Sequence, residues 1–416
     1  MTGGHTSERA GTQDRELVFD AIARSDSTPS AHSEPLFLFL NRVSGEFWGQ
    51  VRSLIQEWLN NIPSEAEYRE LRTRMRSNDD YQFRSAFLEL YLHESLIRAG
   101  YNVTIHPDVP HSARRPDFHA ERNGERFFLE AICPGASKLD IGKMRRSEAL
   151  FDTVNAIKSD FFFLWIVNLD EGDGPAPATK LRKQIEKWLS RLDPDTYDDF
   201  SEWPIEIFSI GQWSLTVKAM PKPVHKRGEH KQAIGVYGHY GAQRIDEAPK
   251  ILSAISEKHS AYGNLDTPFI VAVGTYMMDS DHWHATNALY GHEIMQIHLE
   301  ERAGSEKVVM GRDSNGYFGV PSSWIHRQTS AILLVNQLMP HHILQAEATL
   351  WRHPNPSHLL ADNLGLPWLQ IVFNGKGLTK SQAPVESAEF FNLPPSWPTG
   401  DPWPPSGLSA EDELAT

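Results

Sequence analysis

"RRPDFHAERNGERFFLEAICPG", residues 114–135, reads as two short extended runs around Asn123-Gly124. Asn-Gly is a favoured two-residue hairpin turn because both positions tolerate positive φ. The first run opens on Pro116-Asp117 and the second carries Glu130. Two carboxylates on paired strands are what a hard divalent cation takes from a protein, with water and substrate phosphate completing its shell. Strand side chains alternate, so Glu130 and Ile132 share one face while Leu129 and Ala131 share the other. The main-chain carbonyl of Ala131 offers a third oxygen.

Working outward, "YQFRSAFLELYLHESLIRAG" (81–100) sets Phe83, Phe87, Leu90, Tyr91 and Ile97 near helical spacing and stops at Gly100. Glu89 lies in this helix, where an unpaired carboxylate is costly. It either serves the site, faces solvent or pairs with an arginine, and His93 lies one turn further on. "YNVTIHP" (101–107) reads as a strand, "GKMRRSEALFDTVNAIKSD" (142–160) as a helix, and "FFFLWIVNL" (161–169) as an apolar strand. A strand apolar throughout belongs in a sheet covered on both faces. Residues 101–106, 115–121, 126–132 and 161–168 are therefore expected to form one sheet, with helix 81–99 packed on it. Beyond it, 178–192 and 247–263 read as helices, 205–221 as a hairpin turning at Gly211, and 267–275, 330–338, 341–351 and 367–373 as strand-rich segments. The class is α/β, with helices on a mixed central sheet.

The ends differ in composition. Residues 1–34 are polar and read as disordered, apart from a short helix at "RELVFDAIA" (15–23). Residues 384–416 are proline-rich and read as a flexible tail able to dock on a protein partner. Between them, 35–175 would form the core with its N-terminal helices, and 176–383 an α/β elaboration of the same body.

Composition narrows the function. The 416 residues are 40% hydrophobic and 23% charged, with a net charge of −14 that argues against coating nucleic acid by bulk electrostatics. Local basic clusters remain, at Arg114-Arg115, at 143–146 and in "KAMPKPVHKRGEHK" (218–231). The single cysteine, Cys133, excludes an internal disulfide and a four-cysteine zinc site. The longest apolar run, 161–167, is far short of the roughly 20 residues needed to span a bilayer. The N-terminus has no apolar signal core, so a cytoplasmic protein without membrane partners is expected. His292-Glu293 is followed by Gln296 where a zinc protease needs its second histidine, and the clustered histidines read as surface or structural. Phosphate-loop, dinucleotide and Gly-x-Ser-x-Gly patterns are missing from the sequence, so no organic cofactor is expected.

The succession of helix with "FLELYLHE", strand, "RPDF", turn, "FFLEA" and helix, over about residues 81–168, resembles the core of the PD-(D/E)XK restriction-endonuclease-like superfamily. The resemblance implies a restriction-endonuclease-like mixed sheet flanked by helices, with a C-terminal α/β elaboration. It implies hydrolysis of DNA phosphodiesters with Mg²⁺, or Mn²⁺ in its place. Asp117, Glu130 and the Ala131 carbonyl would hold the metal, and Glu89 would assist. The departure is Ile132, where the family pattern has a lysine that orients water and stabilises developing charge. Lys138 or Lys143 would supply that cation, Lys158 lying further along the helix. Two alternatives stand beside this reading. One is an inactive nuclease-fold protein that binds nucleic acid or a protein, and the other a small-molecule enzyme or structural protein with an incidental hairpin.

Overall fold

A computed structural model describes residues 15–403, except 111, 136–137, 198, 229–232, 238–245, 260, 264, 278–281 and 300–305. The chain divides into two compact units, the second made of 30–34 and 135–246 and the first of the remainder. Most of the second unit is therefore an insertion between Pro134 and Glu247.

The first unit begins with helices α1 (Leu36–Arg42), α2 (Glu46–Asn60), α3 (Glu65–Met75) and α4 (Asp80–Arg98). Ser64 caps α3 and Asp79 caps α4, each accepting from free backbone N–H groups of the first turn. Strands β1 (Asn102–Ile105), β2 (Phe118–Arg122) and β3 (Glu125–Ile132) follow. Asn123 (φ 53°) and Gly124 (φ 83°) join β2 to β3 through a left-handed turn, and the register pairs Phe118 with Leu129.

The insertion holds α5 (Lys138–Asn155), β4 (Phe162–Asp170), α6 (Ala178–Leu189), β5 (Ile205–Ile210), β6 (Trp213–Pro221) and β7 (Ile234–Tyr237). The first unit then resumes with α7 (Ala248–Lys258), β8 (Phe269–Thr275) and α8 (Trp283–Tyr290). Two short hairpins follow, β9 (Glu293–Leu299) with β10 (Glu306–Arg312) and β11 (Gly319–Val320) with β12 (Ser323–Trp324). The unit closes with β13 (Ala331–Asn336), β14 (Glu347–Arg352), β15 (Leu369–Phe373), β16 (Leu378–Ser381) and α9 (Ser387–Phe391).

The main sheet runs β1-β2-β3-β8-β13-β14-β15-β16, with β3, β8 and β13 parallel at its centre. β8 is buried at every residue, as a parallel strand covered on both faces must be. One face packs against α1 to α4 and α9, the other against α7 and α8. Gly274 lets α4 approach closely, since a Cβ there would meet Cys133 Sγ at 3.0 Å and Leu88 at 3.1 Å.

Three expectations are corrected. Strand 162–170 is not in the sheet of 101–132; it lies in a separate four-stranded sheet of the second unit, ordered β5-β6-β4-β7. Alternate residues of β4 (Phe162, Leu164 and Ile166) enter the core with α5 and α6, while Phe163 and Trp165 on its other side are part-buried. Residues 15–23 are not helical. Val18 and Phe19 are buried, and side chains of neighbouring helices take up their backbone: Gln56 accepts from Val18 N–H, while Arg72 and Arg76 donate to the Leu17 and Val18 carbonyls. From 384 to 403 the chain is docked rather than flexible, with 404–416 outside the described residues. The Phe391 ring lies 5.2 Å from Trp58 and 5.5 Å from Tyr91, and Trp403 lies 5.5 Å from Trp48. Arg98 donates to the Phe391 carbonyl at 3.0 Å. Aromatic anchors thus outweigh the proline content.

Phe391→Ala should cost about 3–5 kcal/mol, read as a lower urea midpoint at unchanged slope. An unchanged midpoint would mean that the segment is not anchored.

Candidate active site

Asp117 sits one residue before β2 and Glu130 lies near the end of β3. The two exchange hydrogen bonds reciprocally. The Asp117 N–H donates to Glu130 Oε2 at 3.2 Å, and the Ala131 N–H donates to Asp117 Oδ2 at 2.6 Å. Each carboxylate is thereby fixed by the backbone of the other's strand. Glu130 is only 2% exposed. Its other oxygen, Oε1, accepts from Lys258 Nζ at 2.6 Å, and burial and the Glu130 charge both raise the pKa of the neighbouring Tyr262 hydroxyl. Lys258 is the last residue of α7, and Tyr262 follows just beyond it.

Asp117 also lines a small cleft with Glu67, Glu70, Glu89 and His106. His106 ends the β1 run in a left-handed conformation (φ 46°), uncommon outside glycine. Its ring lies 3.7 Å from Glu67 and 3.9 Å from Asp117. Glu89 is buried and bound to Arg74 Nη2 at 2.7 Å, and Arg74 also reaches Glu70 at 3.3 Å. Of the readings open for Glu89, pairing with an arginine is the one observed. His93 joins the core against Phe118, where burial pulls it down to about 4.

Electrostatics follow from this crowding. Burial, then the charges of Glu130 and Glu89, hold the Asp117 carboxyl well above the ordinary carboxylate range. Burial likewise raises Glu89 against the pull of Arg74. Burial works against the Lys258 ammonium, yet its bond to Glu130 and the nearby carboxylates hold its pKa above the ordinary lysine value.

Ile132, where a lysine was sought, is buried in the apolar layer that includes Phe128 and residues of α7. Arg115 pairs with Asp108 at 2.8 Å. Lys138 and Lys143 belong to α5, and their side chains lie outside the described residues. The structure therefore brings Asp117, Glu130 and Ala131 together, sets Glu89 beside them with its own arginine, and adds Lys258, Tyr262, His106 and Arg74. Sequence reasoning missed these four. Lys258 and Tyr262 are four apart in "EKHSAYG", but nothing in that spacing pointed back to a strand 128 residues earlier.

The donor set suits a hard cation. It is all oxygen, and Asp117, raised by burial and then by the charges of Glu130 and Glu89, is a carboxyl whose ionised form a cation would favour. Side chains alone do not complete a site, since no group of three or more His, Cys, Asp or Glu among the described residues is arranged to hold a metal. The histidines at 282 and 284 are engaged elsewhere: His282 lies 3.2 Å from Glu347, and His284 accepts from the Glu247 N–H. No helix among the described residues is long and apolar enough to cross a membrane. No family model, curated protein or solved structure matches the chain.

The raised Asp117 makes a signed prediction. A carboxyl whose folded pKa exceeds its unfolded value, about 3.9, favours the fold below that value and loses this contribution as pH rises through the folded pKa. Asp117→Asn keeps an acceptor for the Ala131 N–H and removes the charge. The variant should melt higher than wild type at neutral pH, with the difference vanishing in acid. A parallel pair of pH–melting curves would contradict the assignment.

Proposed function

We propose that the chain is a metal-dependent nuclease-like hydrolase of DNA phosphodiesters, with Asp117 and Glu130 as its metal carboxylates. Lys258 stands in for the lysine that Ile132 displaces. One observation carries this reading: a reciprocally fixed carboxylate pair with an ammonium 2.6 Å from Glu130. The Ala131 carbonyl remains the third oxygen in the proposal. Mg²⁺ or Mn²⁺ bound there would polarise the scissile phosphate and lower the pKa of an attacking water.

The protein's own groups have separable tasks. Asp117 must give up its proton to accept a cation, so metal affinity should rise with pH. Lys258 stays charged and, being partly exposed, can share its ammonium between Glu130 and a phosphate oxygen. Glu89, bonded to Arg74, still raises the Asp117 carboxyl through its charge.

A second reading, an inactive nuclease fold that binds nucleic acid or a protein, also has an observation in its favour. Glu130 and Glu89 are already balanced by Lys258 and Arg74 without a metal.

Purified full-length protein incubated with single- and double-stranded DNA decides between them. Wild type should cut with Mg²⁺ or Mn²⁺, and Asp117→Asn and Glu130→Gln should abolish cutting. Lys258→Met should keep the Mn²⁺-induced rise in melting temperature while turnover falls roughly 10²- to 10³-fold, the typical cost of one charge-stabilising donor. A wild type that neither cuts nor is stabilised by Mn²⁺ would establish the second reading over the first.

A further inference from the structure

Three Asn-Gly pairs occur in the chain, at 123–124, 315–316 and 374–375. In such a pair the glycine amide nitrogen can attack the asparagine side-chain carbonyl, because glycine has no side chain to obstruct the approach. Ring closure requires the peptide unit between the two residues to rotate until that nitrogen faces Cγ. The asparagine amide must be free to follow. The structure sorts the three pairs by that freedom. At Asn374 the amide is tied at both ends: Oδ1 accepts from the Lys376 and Gly377 N–H groups at 3.0 Å, and Nδ2 donates to Thr379 Oγ1 at 2.8 Å. At Asn315, Oδ1 accepts from the His292 N–H at 3.2 Å, and Nδ2 lies 3.1 Å from His292 Nδ1. Gly316 is buried so closely that a Cβ there would stand 2.2 Å from the Gly291 nitrogen, which leaves its peptide no room to turn.

The pair at the β2–β3 turn is held by none of these means. Asn123 and Gly124 are both exposed, and the Asn123 side chain has no hydrogen-bond partner among the described residues. A Cβ added at Gly124 would meet no atom within 4 Å, so this peptide has space to rotate. The reaction balances with water alone. The Gly124 nitrogen bonds to Asn123 Cγ and gives up its proton, and ammonia leaves from the same carbon. Water then opens the resulting succinimide at either carbonyl, giving aspartate or isoaspartate. The two products differ in consequence. Asp-Gly suits the same two-residue turn as Asn-Gly. Isoaspartate does not, because its main chain runs through Cβ and adds a backbone atom to the loop that sets Phe118 opposite Leu129.

We propose that Asn123 is a site of spontaneous deamidation, and that isoaspartate formed there loosens the register joining Asp117 to Glu130 and Ala131. This goes beyond the hydrolytic reading of that pair and does not depend on it, since the consequence is read in backbone hydrogen bonds rather than in turnover.

The test is incubation of the full chain in mildly alkaline buffer, folded and in urea, with peptide mapping by mass spectrometry over time. In the folded protein Asn123 should convert at least about tenfold faster than Asn315 and Asn374, the effect of breaking one or two hydrogen bonds before ring closure. In urea the three rates should draw together. Amide hydrogen exchange across residues 117–131 should quicken in aged wild type, and its melting temperature should fall. Asn123→Gly, whose Gly-Gly also suits the turn, should age with neither change. Freshly made Asn123→Asp, which has the charge but a normal backbone, should match fresh wild type. Equal rates at the three sites in the folded protein, or the same rate ratios in urea, would overturn the assignment of Asn123. Unchanged exchange in protein rich in isoaspartate at 123, or fresh Asn123→Asp as loosened as aged wild type, would overturn the effect on the register.

Discussion

The exchange of hydrogen bonds between Asp117 and the Glu130–Ala131 segment is the constraint on which the candidate site depends. A buried carboxylate and a part-buried one on neighbouring segments repel, and each would be costly without donors of its own. Here the donors are backbone N–H groups of the facing strand, so the arrangement persists only at one register. That register is set by the Asn123-Gly124 turn, which places Phe118 opposite Leu129. A slip of one residue would turn Glu130 from the α7 face to the α4 face and away from Lys258. Turn chemistry, strand pairing and site geometry are thus one condition.

The same geometry explains where the cation comes from. With the insertion set aside, β3, α7 and β8 form a strand–helix–strand unit in which β3 and β8 are parallel neighbours. The helix of such a unit lies along its own two strands. The end of α7 can therefore bring an ammonium to Glu130 as directly as the strand position two residues further on. Ile132 is then free to be apolar, and it contributes to the core beneath the helix that supplies Lys258.

What was legible in the sequence follows from how local each feature is. The hairpin, the helix at 80–98 and the apolar strands were readable because turn dipeptides and side-chain periodicity act over a few residues. Grouping strands into sheets was not. β4 is apolar on both sides, and nothing local distinguishes a strand buried twice from one whose second face bears half-exposed aromatics. Asp117 and Glu130 were visible as a pair because one turn joins them. Lys258 was hidden by an insertion that separates it from its partner by 128 residues. His106 and Arg74 join the site only through the packing of β1 and α3 around α4.

Charge links these observations. The cleft beside Asp117 gathers Glu67, Glu70 and Glu89, against which Arg74 is the basic side chain bonded in place. An anionic phosphate approaching such a cleft is repelled until a proton or a cation resides on Asp117. On the proposed function the raised Asp117 is therefore part of the order of events. Deprotonation and cation uptake become one linked step, and a cation in place of the proton adds positive charge that a phosphodiester can approach. Lys258 alone cannot supply that charge, because Glu130 and Asp117 together outweigh it.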